Sequence, residues 1–183
     1  MKSEAIDDTN RAEGKMTKQD APLGTGAGFE NTLREANLDH SATHLLHRAV
    51  QCASEVFTVS TQSVDITPRQ YAVLLAVAQN ERISQIALTG KTGIDRSTMA
   101  DVVRRLVNRG LLRRARSRQD SRAYELRLTD EGWRILEGTV PKAIACDRQV
   151  LSALPESERD SFLRQLATIV AAWSSRSHEP PSL

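Results

Sequence analysis

Aromatic side chains are scarce in this sequence, at 4% of 183 residues, and the clearest apolar patterns recur every three to four positions rather than every two. A large antiparallel sheet and an α/β enzyme core are thereby disfavoured. Two cysteines, Cys52 and Cys146, are too few for a disulfide scaffold, a CxxC zinc ribbon or an iron–sulfur site, and both are expected to be ordinary buried thiols. No stretch approaches the ~18 uninterrupted apolar residues of a membrane span. The acidic start lacks the apolar centre of a secretory signal, so a cytoplasmic protein with no membrane partner is expected. HExxH, GxSxG and P-loop motifs are missing. Gly24, Gly26 and Gly28 follow no strand and open no helix. No catalytic residue, metal or cofactor is expected, which leaves an enzyme as a distant alternative.

What is present is unevenly distributed charge. Residues 1–39 carry five basic and eight acidic side chains, whereas Arg96–Arg122 holds nine arginines against Asp101 and Asp120. A segment this basic calls for a polyanion. Residues 1–39 have too few large apolar side chains to offset the entropy of ordering and are expected to stay unfolded. The polar residues 177–183, with Pro180 and Pro181, read as a frayed tail.

Between these ends the chain reads as a series of capped helices. From Ser41 to about Val64, Leu45, Leu46, Ala49, Val50, Ala53, Val56, Phe57 and Ser60 recur at helical spacing. Thr67-Pro68-Arg69-Gln70 is a capping box opening a helix to about Gln79, with Tyr71, Leu74, Leu75 and Ala78 as its stripe. Ser84 caps a short helix closed by Gly93. Asp95 caps the next, Arg96 to Arg109, where Met99, Val102, Val103, Leu106 and Val107 form one apolar face and Gly110 ends the helix. Two short strands follow, Leu111–Ala115 and Ala123–Leu128, the second alternating Tyr124, Leu126 and Leu128 against Glu125 and Arg127. They predict a β-hairpin with an arginine-rich tip. A helix from Thr129 towards Leu151, with a kink expected at Pro141, uses Trp133, Leu136, Val140, Ile144 and Cys146. Pro155 opens a last helix whose Phe162, Leu163, Leu166, Ile169, Val170 and Trp173 repeat with near-heptad spacing, a seam for a partner helix.

Two short capped helices followed by a basic hairpin give the order of a winged helix-turn-helix, whose second helix enters the major groove of DNA. The fold class expected is mainly α with a small β-hairpin wing and long helices at both ends. Ser97, Thr98, Asp101 and Arg104 face away from the apolar stripe and are candidates for base edges. Arg96, Arg105 and Arg116 are candidates for phosphates and neighbouring groups. At the tip, Arg118 or Arg122 suits a narrow minor groove, with Asp120 orienting a neighbouring arginine.

Ile94-Asp95-Arg96-Ser97-Thr98-Met99, Leu106-Val107-Asn108-Arg109-Gly110-Leu111, Asp120-Ser121-Arg122 and Leu126-Arg127-Leu128-Thr129-Asp130-Glu131-Gly132 together resemble the MarR (multiple antibiotic resistance regulator) family. The Asp-x-Arg and Leu-Thr-x-x-Gly of that family's wing are both present, and the resemblance spans about Ser41–Trp173. It implies a homodimeric repressor on a double-stranded, pseudo-palindromic operator. It also implies this division: 1–39 extension, 40–66 N-terminal dimerisation helix, 67–129 DNA-binding lobe, 130–176 C-terminal dimerisation helices, 177–183 tail. The acidic extension departs from the family pattern.

Family effectors bind between the dimerisation helices and the DNA-binding lobe. Polar groups on the otherwise apolar surfaces of the first two long helices, His44, His47, Arg48, Cys52 and Tyr71, are candidates for holding a small aromatic acid or its coenzyme A thioester. The alternative reading is a redox sensor using Cys52, although Gln51 and Ala53 beside it carry no charge to activate a thiol. A purely structural protein would explain the seam and leave the arginines without a partner.

Overall fold

The computed structural model describes residues 29, 30, 32, 33, 36–80, 82–116 and 124–174. The Gly24–Gly28 stretch, most of the acidic extension, the tail 177–183, and Arg118, Asp120 and Arg122 lie outside the described residues. The chain divides into two compact units, residues 1–45 and 46–183. In the first, Asn37 caps a 3-10 turn, Leu38–His40, by accepting from the Asp39 amide at 2.8 Å.

Helix α1 spans Ala42–Thr61 and α2 Pro68–Ala78. The capping box at α2 forms in both directions, Gln70 N donating to Thr67 Oγ1 at 3.3 Å and Thr67 N to Gln70 Oε1 at 3.0 Å. Its buried stripe is rotated from the one expected. Val73, Leu74, Ala76 and Val77 are buried, while Tyr71, Leu75 and Ala78 are half-buried, because α2 is covered from more than one side. Strand β1, Ile83–Ser84, leads into α3, Gln85–Thr92, capped by Ser84 and closed by Gly93 at φ +67°. Helix α4, Arg96–Asn108, buries Met99, Val102, Val103 and Leu106. It ends at Gly110, φ +70°, with Leu111 N bonded to Leu106 O and Gly110 N to Val107 O, both at 2.9 Å. That double bond pattern satisfies carbonyls the helix end would otherwise leave open.

Strands β2, Leu112–Arg116, and β3, Tyr124–Leu128, form the hairpin, but the sheet has three strands in the order β1-β3-β2. Ile83 pairs with Leu126 and Ser84 with Glu125. This added edge overturns the expected alternation on β3. Glu125 is 7% exposed and Tyr124 56%, since β1 covers the middle of the strand whereas Tyr124 pairs with Arg116 near the tip.

The main core gathers Ile66, Leu74, Leu88, Met99, Leu106 and Leu126 from these helices and strands. Helix α5, Asp130–Leu151, is continuous through Pro141 and is capped by Thr129. It contributes Leu136 to the core and packs Ala143 and Cys146 against Phe57 of α1. Trp133 and Ile144, expected on its apolar stripe, are 46% and 45% exposed. Helix α6 spans Glu156–Ser174, so Pro155 precedes it rather than occupying its first turn. Leu163 and Ile169 of α6 stay exposed, as do Leu46, Val50 and Val59 of α1.

Candidate nucleic-acid interface

The α4 face opposite its buried stripe is built by the cap. Asp95 Oδ1 accepts from Ser97 Oγ at 2.6 Å and from Thr98 N at 2.9 Å. These bonds, the one to Ser97 foremost, hold the Asp95 carboxyl well below the usual carboxylate range. Ser97 spends its only hydroxyl proton on Asp95, so towards a ligand it is an acceptor. Arg96, Ser97, Asp101, Arg104 and Arg105 are exposed and Thr98 is half-buried. Arg104 Nη2 and Asp101 Oδ1 pair at 2.8 Å. An exposed pair at this spacing contributes only about 0.2–0.5 kcal/mol, so either partner exchanges readily for a base or a phosphate.

Arg113, Arg114 and Arg116 are exposed along β2, which runs from the end of α4 towards the wing tip. Arg114 and Arg116 stand on one face of the strand and Arg113 on the other. At the opposite end, Arg109 Nη1 donates to Asp65 O at 2.8 Å, with Asp65 in the left-handed region at φ +50°. That bond fastens the end of α4 to the α1–α2 turn.

The glycine of the Leu-Thr-x-x-Gly run has a steric cause. A Cβ on Gly132 would stand 2.1 Å from Leu111 O and 3.0 Å from Leu128 Cδ2. Thr129 closes the same joint: its N donates to Leu111 O at 3.1 Å, its Oγ1 to Gly110 O at 2.6 Å, and Gly132 N donates to Thr129 Oγ1 at 3.0 Å. The end of α4, the start of β2 and the start of α5 thus share one set of hydrogen bonds.

The five effector candidates are scattered. His44 is half-buried, its backbone N bonded to Ser41 Oγ at 3.3 Å. His47 and Arg48 are exposed, with His47 Nε2 at 3.1 Å from Gln51 Nε2. Cys52 is exposed, contrary to the buried thiol expected, whereas Cys146 is buried and its thiol pKa is pushed up by burial and then by the Asp147 charge. Tyr71 packs on Phe57 with ring centroids 5.5 Å apart, and nine residues of helix set Phe57 on the side of α1 opposite Arg48. Burial, with Asp147 second, raises the Tyr71 pKa.

Two grooves flank α1, and none of the five lines either. One, of about 460 Å³, lies among Ala53, Phe57, Cys146, Val150, Phe162 and Leu166. The other, of about 550 Å³, is bounded by Val50, Ser54, Arg69, Thr98, Asp101 and Arg105. Arg69 was not singled out from the sequence. It stands in the first turn of α2 and lines the groove with Thr98, Asp101 and Arg105 of α4, not as a polar break in an apolar stripe.

A capped helix with a polar, basic face, beside a basic three-stranded wing, defines a winged helix-turn-helix DNA-binding protein. The MarR family pattern matches residues 64–123. The transcriptional regulator HosA of Escherichia coli O127:H6 is 34% identical over 100 residues, 55% of this chain and 74% of HosA. A structure of Bordetella bronchiseptica BpsR, concerned with how 6-hydroxynicotinic acid regulates its DNA binding, shares 27% identity and a TM-score of 0.70 over 74% of this chain and 96% of BpsR. The transcriptional repressor CouR, solved on a 23-mer DNA duplex, shares 32% identity and a TM-score of 0.67 over 73% of this chain and 94% of CouR. The chain belongs to the MarR family and is a DNA-binding transcriptional regulator, not an enzyme. Among the described residues no helix is long and apolar enough to cross a membrane.

Proposed function

We propose that the chain is a homodimeric repressor that holds a pseudo-palindromic operator and is released from it by a small aromatic acid. Helices α1 and α6 mediate the dimer, a reading supported by Leu46, Val59, Leu163 and Ile169, which a single chain leaves exposed. Helix α4 reads the major groove through Ser97, Thr98, Asp101 and Arg104. Arg96, Arg105 and Arg116 take neighbouring phosphates, and Arg118 or Arg122, with Asp120, serves the minor groove.

The observation that carries the ligand half is that Thr98, Asp101 and Arg105 belong both to the α4 face and to the groove against α1 and α2. An acid seated there, its carboxylate on Arg69 or Arg105 and its ring on Val50, draws on the same side chains that DNA uses. Its affinities for the free and DNA-bound states must therefore differ, which is what release requires. DNA-bound CouR and the acid-regulated DNA binding of BpsR fit this reading.

A gel-shift titration against the DNA upstream of its own gene, with and without a panel of aromatic acids and their coenzyme A thioesters, tests it. Saturable binding released by one compound, and release lost in Arg69→Ala, is the expected result. Release by peroxide that disappears in Cys52→Ser would instead favour the redox reading, and binding released by no compound would refute induction by an acid.

A further inference from the structure

A cleft of about 320 Å³ lies between the end of α2, the turn before β1, the base of the wing and the start of α5. Arg82, Arg113 and Arg127 line it, facing Val77, Leu126 and Trp133. The three arginines come from three places in the chain: the turn before β1, strand β2 and strand β3. Arg113 and Arg127 are directly paired across the strands, so they stand on one face of the sheet.

Among the described residues, no carboxylate lines the cleft. Glu125 lies 3.7 Å from Arg127 Nη2, and Glu131 is paired with Arg134. No described residue forms a hydrogen bond or ion pair with the side chain of Arg82 or Arg113. Arg127 Nε is buried with no hydrogen-bond partner. Arg82 holds φ +63°, a left-handed conformation that costs a non-glycine residue about 1–2 kcal/mol. Such strain concentrates where a side chain has to be aimed. Against this basic wall stands Trp133, an indole 46% exposed at the head of α5. Like charges gathered in a concave, partly apolar site favour an anion, and the exposed indole favours a planar one.

We propose that this cleft is a binding site for a small planar dianion, an aromatic ring carrying two carboxylates. The ring lies along Trp133 and Val77, and the carboxylates meet the guanidinium groups of Arg82 and Arg113 as charge-assisted, fork-like pairs. A monocarboxylate leaves one of the two arginines uncompensated. The volume is at the small end of the ~300–1,000 Å³ that ligand sites occupy, which suits a single ring and not a coenzyme. The site is separate from the groove against α1 and does not depend on the role given to that groove.

The sequence has two tryptophans, Trp133 and Trp173, so the full chain carrying Trp173→Phe reports on Trp133 alone. Its emission is titrated with benzene-1,3-dicarboxylate, benzoate and sodium phosphate in separate arms. Expected is a saturable change with the dicarboxylate, about tenfold weaker with benzoate, and weakened about tenfold in Arg82→Ala and in Arg113→Lys. Arg69→Ala leaves it unchanged, which separates this site from the effector groove. Indole N–H signals of the unmodified chain give the same readout if Trp173→Phe does not fold. No saturable change up to about 10 mM, equal binding of phosphate, or titrations unaltered by both arginine substitutions would each overturn the proposal. So would Arg82→Ala and Arg113→Lys reducing operator affinity and its salt dependence without touching the dicarboxylate titration, because the arginines would then belong to DNA phosphate.

Discussion

Replacing Gly132 by alanine puts a methyl carbon 2.1 Å from the Leu111 carbonyl oxygen and 3.0 Å from Leu128 Cδ2. A carbon and a carbonyl oxygen settle no closer than about 3.3 Å, so the α5 backbone and the start of β2 must part by about 1 Å. The Leu111 oxygen also accepts from Thr129 N at 3.1 Å, and that bond stretches with it. Overpacking of this kind costs about 1–3 kcal/mol, and a weakened buried hydrogen bond adds about 1 kcal/mol. Alanine returns at most about 1 kcal/mol of helix propensity. The net loss of about 1–3 kcal/mol lowers Tm by roughly 2–12 °C for a chain of this size. Circular dichroism melts at one fixed protein concentration measure it, since mass action makes the Tm of an oligomer concentration-dependent. Gly90, in α3, is the matched control: a Cβ there meets nothing within 4 Å, so Gly90→Ala raises Tm by a few degrees. A Gly132→Ala protein as stable as the parent, or more stable, would refute the steric argument.

Three further outcomes follow from the same geometry. Arg105→Ala weakens operator binding and reduces the salt slope by about 1, read from affinities at several salt concentrations, if Arg105 neutralises one phosphate. Because the folded state lowers the Asp95 pKa, that residue's stabilisation is complete above the unfolded aspartate value, ~3.9, and is lost as pH falls through the folded one. Asp95→Asn should therefore flatten the fall in urea midpoint between about pH 5 and pH 2, and an unchanged profile would remove Asp95 as a source. Leu163→Glu shifts the mass measured by light scattering from dimer to monomer and abolishes operator binding; a dimeric variant would place the seam elsewhere.

What could be read from the sequence had local causes. The box at Thr67, the caps at Ser84 and Asp95, and the ending at Gly110 each depend on a few adjacent residues, and the structure forms all four. Strand β1 could not be read, because two residues have no periodicity and become a strand only by pairing with β3. The burial of Glu125 follows from that pairing and was hidden for the same reason. Polar interruptions of an apolar stripe pointed to His47, Arg48 and Cys52, yet the grooves are walled by residues that tertiary packing assembles from α1, α2 and α4 or from α1, α5 and α6. Arg69 and Trp133 took on significance only when their neighbours were known.

The joint at Gly110, Leu111, Thr129 and Gly132 limits how such a regulator can change. With the end of α4, the base of the wing and the head of α5 bonded to one another, the two elements proposed to contact DNA should turn as one body with any tilt of α5. In the dimer proposed above, a ligand can then alter the distance and angle between two reading heads while each head stays intact. Substitutions that change which bases are preferred and substitutions that change inducibility should accordingly separate, the first on the outer face of α4 and in the wing, the second along α1, α5 and α6.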